Sequence, residues 1–555
     1  MLANWRFYFV QTVLVALLAI VVWRVVGLQV LEKDFLIEQG TSRWQRLEVI
    51  NAPRGMLSDR HGEPVAVSTP VVSVWADPRE LREADIPRLA EAADVSAKTL
   101  QARRQQHRAF MYINRHMTPD EAERILSRNI RGVYGLTEYK RYYPAGEVAA
   151  HVVGFTDIDD HGQEGVELAF ENQLRSESGK KEVIRDLLGR SVRDVGLIEA
   201  PKAGQDLRLT IDLRLQYLAY RELKKAVTQL DALAGSVVIM DVRNGDVLAM
   251  VNQPGFNPNN RAQLNPTATR NRAMTDQAEP GSVMKPISMA VALSSQQFSI
   301  SSTIDTNPGY LRVGDYAIRD FRNYGVLDMT GIITKSSNVG IAKVAQQLDG
   351  QRMWETLYGL GFGQTTGIGY PGEAAGRLPN PMNWHAVDKA AMSYGYGLAV
   401  TPLQLAQAYA TLANDGRQVN ARILMDTPAV IGEQVVPQDV ARQVLGMMET
   451  VVEPKGTGTR AALDWFSVAG KTGTTHKVGA QGYEDEKYMA SFVGIAPADE
   501  PRIVAVIVIN EPPTDAYFGG EAAAPVFRGI MTQALPLLGV QPDRIPPQAR
   551  LGGDS

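Results

Sequence analysis

The chain is 555 residues long, with 57 basic and 61 acidic side chains, a formal net charge of −4 and 45% apolar content. That length calls for two or three domains, and the balanced charge gives no reason to expect a nucleic-acid partner. There is no cysteine, and the seven histidines show no metal-ligand spacing. Disulfides, thiol chemistry and thiolate metal sites are therefore excluded, and neither a zinc site nor a Ser-His-Asp mechanism is indicated.

The first element is an uncharged run of 17 residues, Phe7 to Trp23. As a helix it spans about 26 Å, just enough to cross a bilayer. Trp5, Tyr8 and Trp23 suit the two interfaces, and Arg24 can snorkel. The run is longer than the apolar stretch of a signal peptide and no small-x-small cleavage site follows it, so residues 1–30 read as an uncleaved transmembrane anchor. Residues 31–208 read as an irregular mixed module, punctuated at Pro53-Arg-Gly55, His61-Gly62, Pro144-Ala-Gly146 and Gly162 to Gly165, with a charged helical stretch near Pro119 to Ile130. No catalytic constellation appears there, which fits a spacer or partner-binding role.

A second section opens near Thr210 with a leucine-rich helix. Strands at Ser236 to Met240 and Val247 to Val251 follow, joined through Asn244-Gly245, the strongest short hairpin signal. Next, Glu279-Pro280-Gly281-Ser282 leads into Val283, Met284, Ile287, Met289, Val291 and Leu293, a run apolar on all sides and hence a buried helix. Pro280 and Gly281 mark its start. Ser282 then lies in or beside the first turn, where free N–H groups favour a developing oxyanion, and Lys285 stacks one turn on. Pro286 is tolerated only near such a start.

A serine hydroxyl needs a base within hydrogen-bond reach, and Lys285 can serve only when neutral. For that its pKa must fall roughly 3 below a reference of about 10.4, about 4 kcal/mol of differential stabilisation. Burial and a second cation push in that direction, and Lys471 is the candidate for the cation. The Ser-x-x-Lys spacing recurs at Ser178/Lys181, in a polar run that reads as a loop. Ser-x-Asn recurs at Ser127/Asn129, in a charged stretch with no evident apolar face. Neither copy has partners downstream.

Ser336-Ser-Asn338 falls between helical patterns, with Ile341, Val344, Ala345 and Leu348 spaced along the second, which places it at a helix mouth. Trp465 to Ala469 reads as a strand leading into Lys471-Thr-Gly-Thr474. There Gly473, lacking a side chain, reads as open to a substrate backbone. Gly470-Lys471-Thr472 resembles the end of a phosphate loop, but Trp465 stands where that motif needs glycine. Strands at Met489 to Ile495 and Ile503 to Ile509 and a helix from Pro525 to about Leu538 complete the section. The fold class is thus α+β: an anchor, a pedestal module, helices packed on an antiparallel sheet over residues 209–540, and a tail, 541–555, that reads as disordered.

The three motifs in this order resemble the penicillin-binding serine acyltransferase superfamily, whose transpeptidase domain is serine β-lactamase-like. Arg54-Gly-Met-Leu-Ser-Asp-Arg-His-Gly62, Tyr143-Pro-Ala-Gly146, His151-Val-Val-Gly-Phe155, Gly165-Val-Glu167, Ser393-Tyr-Gly-Tyr-Gly397 and Thr401-Pro-Leu-Gln-Leu405 are similar to class B, monofunctional penicillin-binding proteins. Trp5-Arg-Phe and Leu28-Gln-Val30 look most like the division-specific group, penicillin-binding protein 3. The resemblance implies a single-pass inner-membrane protein with its N-terminus in the cytoplasm and a periplasmic D,D-transpeptidase that cross-links peptidoglycan stem peptides at the septum. Septal placement implies contacts with a SEDS-family glycan polymerase and other divisome membrane proteins. β-Lactams would inhibit it, and no cofactor or metal is needed.

Carried over by resemblance, Ser282 is the nucleophile, Lys285 its base, Ser336 a proton relay, Asn338 a substrate-orienting group and Lys471 the source of the local field. Thr472, Gly473 and Thr474 form the substrate edge, with the hydroxyls on the terminal carboxylate and the N–H groups of Ser282 and Thr474 as the oxyanion hole. Two departures stand out: Ser-Ser-Asn differs from the Ser-Asp-Asn of class A β-lactamases, and Thr475-His476 follows Thr474 where division members often have a small residue and then arginine. His476 would then supply a titrating cation for the substrate carboxylate. A β-lactamase reading lacks an identifiable deacylating glutamate. An elongation-specific class B enzyme, and a non-enzymatic β-lactam sensor or divisome scaffold, are the alternatives.

Overall fold

The computed structural model describes residues 4–35, 45–185, 191–479 and 482–545, which fall into two compact units. The first comprises Met1–Arg54, Ser68–Lys140 and Arg175–Gln205. Its helix α1 (Asn4–Val26) continues as a single apolar span of 28 residues to Leu31, with none of its residues buried. Such a helix fits a single-pass membrane anchor. Strands β1 (Gln45–Ile50), β2 (Gly179–Arg185) and β3 (Ser191–Glu199) form an antiparallel sheet with β2 in the middle.

This sheet corrects the expectation of a loop at Ser178/Lys181. Lys181 lies inside β2, in register with Glu48, its Nζ 3.7 Å from Glu48 and 3.5 Å from Asp194. Opposite charges across strands offset the poor strand propensity of the polar run. The Ser127/Asn129 copy likewise ends a helix that does have an apolar face. Pro119–Leu126, held at its start by a Thr118/Glu121 capping box, buries Ala122 and Ile125 against Leu89, Leu100 and Ile113. Two turns are too few for the periodicity to stand out among the charges.

The second unit comprises Gly55–Val67, Arg141–Leu174 and Asp206–Ser555. Residues 141–174 thus pack with the C-terminal part. Arg141 and Glu167, both fully buried, pair at 2.6 Å. Asn259 clamps Tyr143, accepting from its N–H and donating to its carbonyl, each at 3.0 Å.

The core of this unit is built from α2 (Leu213–Gln229), β4 (Ala234–Asp241), β5 (Val247–Gln253), α3 (Lys285–Ser294), α4 (Met329–Lys335), α5 (Asn338–Gln347), α6 (Pro402–Ala413), β6 (Ala469–Gly479), β7 (Gly482–Ala496), β8 (Ile503–Asn510) and α7 (Ala524–Leu537). The strands form one antiparallel sheet in the order β5-β4-β8-β7-β6. Every residue of β4 is buried because the sheet is covered on both faces. Val237 and Ile239 pack with Leu215, Leu223, Phe527 and Ile530 from α2 and α7. Val238 and Met240 belong to the opposite cluster, with Ile287 of α3 and Leu405 and Tyr409 of α6. The period-two alternation of strand side chains thus divides the interior into two cores, and α3 lies wholly inside the larger.

The strand expected from Trp465 begins only at Ala469. Ser467 is diverted from the ladder: its N–H donates to Asp543 Oδ1 at 2.7 Å and its hydroxyl to Oδ2 of the same carboxylate. Side-chain capture of backbone donors competes with sheet pairing in this way. It also ties down part of the tail expected to be disordered, as does Arg544 with Glu449 at 2.9 Å; residues 546–555 lie outside the described residues.

Candidate active site

Gly281–Met284 forms a 3-10 turn and α3 follows from Lys285, with Pro286 in its first turn, where a missing N–H is harmless. Gly281, Val283, Met284 and Lys285 are buried, whereas Ser282 is half-buried. The turn is fixed from behind by Tyr409, whose hydroxyl donates to Val283 O. Gly281 has a φ of +61° and donates to Gly395 O at 3.0 Å.

Lys285 is 0% exposed. Its Nζ has four oxygen neighbours: Ser282 Oγ at 3.0 Å, Ser336 Oγ at 3.1 Å, Ser336 O at 2.6 Å and Asn338 Oδ1 at 2.7 Å. The two carbonyl oxygens can only accept. A neutral amine has two N–H groups, which those carbonyls consume, so its lone pair is left for a hydroxyl. Burial, and then the charge of Lys471, hold the Lys285 pKa well below the usual lysine range, against a smaller opposing pull from Asp320. The arrangement can therefore take a proton from Ser282.

Ser336 ends α4 with a φ of +56°, in the left-handed region that costs a non-glycine residue about 1–3 kcal/mol. The strain turns its hydroxyl between the two lysines, since Lys471 Nζ donates to Ser336 Oγ at 2.9 Å and to Thr472 O at 2.9 Å. Lys471 is also 0% exposed, and burial lowers its pKa to about 7. Ser337 caps α5 by accepting from Gly340 N–H at 2.8 Å, so Asn338 opens that helix. Ser282, Lys285, Ser336, Asn338 and Lys471 are thus brought together.

Lys471 to Thr474 lie within β6, the edge strand beside this turn. Gly473 is buried. A Cβ there would come within 2.3 Å of Ser491 Oγ, 3.0 Å of Val283 Cγ1 and 3.2 Å of Pro280 O, so the close approach it permits is of the protein's own catalytic turn. Thr475 Oγ1 donates to Glu279 O at 3.3 Å and strengthens the same join. On the other face of β6 the Thr472 hydroxyl meets that of Thr457 at 2.8 Å, and Thr474 Oγ1 accepts from Gly519 N–H at 3.1 Å. His476 is exposed, its ring 4.7 Å from that of Tyr488, which stacks at 4.1 Å on Tyr517.

Asp320 is absent from the sequence reading. Its Oδ1 accepts from the N–H groups of Asn338 at 2.6 Å and Val339 at 3.0 Å, and its Oδ2 from the Ser337 hydroxyl at 2.6 Å. The carboxylate sits at the start of α5, where the helix dipole favours it, and makes charge-assisted bonds to Ser337 and Asn338 of the middle motif and to Val339 beyond it. No local pattern could reveal this, because Ser337 already fills the N-cap position expected for α5. Asp320→Ala leaves two N–H groups and a hydroxyl without their acceptor, at about 1–3 kcal/mol for each that stays dry. We expect acylation by a fluorescent penicillin to slow by about 10- to 100-fold. The acid limb of the rate profile should also move to lower pH, because the anion that raises the Lys285 pKa is gone.

Comparison with known proteins gives one reading along the whole chain. Residues 235–532 match the model of the penicillin binding protein transpeptidase domain, and residues 49–209 that of the penicillin-binding protein dimerisation domain. The probable peptidoglycan D,D-transpeptidase PbpC of Pseudomonas aeruginosa is 42% identical over 98% of this chain and 97% of its own length. The peptidoglycan D,D-transpeptidase FtsI of Escherichia coli is 40% identical over 98% of this chain and 93% of its own. Among solved structures, penicillin binding protein 3 from Mycobacterium tuberculosis, complexed with aztreonam, covers 90% of this chain and 98% of that one at a TM-score of 0.70 and 27% identity. The transpeptidase domain of Burkholderia pseudomallei penicillin-binding protein 3 covers 60% and 98% at 0.56 and 40% identity. The catalytic-turn geometry thus sits inside a matched transpeptidase domain, behind a matched dimerisation domain, and the chain belongs to the penicillin-binding proteins, a family of serine acyltransferases.

Proposed function

We propose that this protein is a septal peptidoglycan D,D-transpeptidase. The observation that carries the reading is Ser282 Oγ 3.0 Å from Nζ of a fully buried lysine whose pKa is held low. Ser282 Oγ attacks the carbonyl carbon of the penultimate D-Ala of a stem peptide as its proton passes to Lys285. The C–N bond to the terminal D-Ala breaks, and Ser336 passes a proton to the departing amine. The amine of a second stem peptide then attacks the ester, frees Ser282 and closes the cross-link.

Asn338 orients the donor amide, Lys471 supplies the local field, the hydroxyls of Thr472 and Thr474 receive the terminal carboxylate, and the N–H groups of Ser282 and Thr474 bind the oxyanion. Loss of one such donor costs about 100-fold or more. Residues 31–208 act as a pedestal for divisome contacts, including a SEDS-family glycan polymerase, and residues 209–540 carry the periplasmic reaction at midcell, with the N-terminus cytoplasmic. Mass spectrometry after penicillin labelling tests the core of this reading. We expect an adduct on the Ser282 peptide and none on the Ser282→Ala chain; an adduct elsewhere overturns the assignment.

His476 bears on substrate affinity, being an exposed polar side chain two residues beyond Thr474. His476→Arg puts a permanent cation at that position and is expected to speed carboxylate-dependent acylation, and equal rates for the two chains would exclude His476 from carboxylate binding.

A further inference from the structure

A cavity of about 560 Å³ lies behind the turn that carries Ser282, and Ser282, Lys285, Ser336 and Lys471 are not among its walls. Glu279 and Pro280 close one side, and Thr475 and Lys477 of β6 another. The partition from the nucleophile is one layer thick. A Cβ at Gly281 would come within 2.3 Å of Thr475 Cγ2, so the backbone of the catalytic turn rests directly on a cavity-lining side chain.

The lining is amphipathic. Leu398, Val400, Leu405, Met489 and Val508 give an apolar floor, and the permanent cations Arg270, Arg272, Arg377 and Lys477 outnumber the carboxylates Asp276 and Glu279. Both carboxylates are already engaged. Asp276 is held by Arg270 at 2.6 Å and Arg272 at 3.0 Å, while Glu279 accepts from the Tyr483 hydroxyl at 2.9 Å and from Gly397 N–H at 2.8 Å. Lys477 pairs with Glu511. Arg377 is exposed and reaches only as far as Gly397 O, at 3.4 Å; no carboxylate among the described residues pairs with it. Asn510 also lines the cavity, and its Oδ1 is buried without a hydrogen-bond partner among the described residues.

A guanidinium without a carboxylate, a dry acceptor without a donor and a floor of branched side chains define a complementary ligand. It has a carboxylate, an N–H group and small apolar substituents, and the cavity volume is in the range of small-ligand sites, about 300–1,000 Å³. We propose that the cavity is a second peptide site that binds a short alanyl peptide ending in a free carboxylate. Arg377 takes the carboxylate, Asn510 Oδ1 accepts an amide or ammonium proton, and the methyl groups lie on Val400 and Val508. In the cell the ligand is a stem peptide other than the one being acylated. That last identification rests on the transpeptidase reading; the site itself does not.

The test uses the full chain in detergent with Ser282 blocked by penicillin, so that binding at the catalytic cleft is suppressed. D-Alanyl-D-alanine and its C-terminal amide are titrated by saturation-transfer NMR. We expect saturable binding of the acid, about tenfold weaker binding of the amide, and about tenfold loss in Arg377→Ala and in Asn510→Leu, with penicillin acylation rates unchanged in both variants. The proposal is overturned if no saturable binding appears up to on the order of 10 mM, if acid and amide bind alike, or if Arg377→Ala binds undiminished. Should penicillin fail to label Ser282, the transpeptidase reading falls instead, and the same titration of unmodified and Arg377→Ala chains still decides the second site.

Discussion

Lys285→Met should slow acylation by a penicillin by about 1,000-fold or more, within the upper range for loss of a positioned general base. Methionine keeps the length of the side chain and removes the amine that lies 3.0 Å from Ser282 Oγ. The fold should persist, because burying an uncharged side chain relieves the desolvation that depresses this lysine. Stopped-flow fluorescence with a labelled penicillin, alongside a thermal melt, measures both. A rate within tenfold of the unmodified chain, at equal stability, would remove Lys285 from the base role.

The companion change, Lys471→Met, tests the electrostatics. The Lys471 charge is the second cause of the lowered Lys285 pKa, so without it Lys285 holds its proton more tightly and the acid limb of any residual rate moves to higher pH. Stability has its own signature. Lys471 has a pKa of about 7 in the folded chain against 10.5 as its ordinary value. The unfolded chain therefore binds the extra proton between those values, and stability rises with pH across that window. Lys471→Met should flatten that rise, which denaturant titrations at a series of pH values would read.

Gly395→Ala is expected to cost acylation about 100-fold although Gly395 belongs to none of the three motifs. It has a φ of +88°, and a Cβ there would lie 2.1 Å from Gly281 O and 2.4 Å from Gly281 N. Those are backbone atoms next to the nucleophile, so no rotamer change can make room and the turn itself must move. A displacement of about 1 Å at a reacting group is worth about 100-fold. Comparing the acylation rate with the melting temperature separates this from general unfolding, and a rate within a few-fold of the unmodified chain would mean that the turn has slack the contacts do not show.

The parts of the site that could be read from sequence are those whose chemistry is local. Ser282 and Lys285 share one helix start, and the all-round apolar run behind them announces its own burial. The α+β architecture was readable for the same reason, from the Asn-Gly hairpin and the continuous apolar strands. Asp320 was not, and Gly395 stood out only within Ser393–Gly397 with no role attached, because each acts on residues distant in the chain. Gly473 was legible only in part. Its missing side chain makes room for Pro280 and Val283, which only the packing of β6 against the turn reveals. The strand at Trp465 failed on a single remote carboxylate, Asp543, which takes the Ser467 N–H that a ladder would need.

The four oxygens around Lys285 also sort by what they can hand on. Ser336 O and Asn338 Oδ1 hold the amine but carry no exchangeable hydrogen, so a proton that arrives from Ser282 has one onward route, the Ser336 hydroxyl, whose oxygen accepts from Lys471 on its other side. The site is wired in series rather than open on all sides. Its direction is built from two carbonyls that insulate and two hydroxyls that conduct.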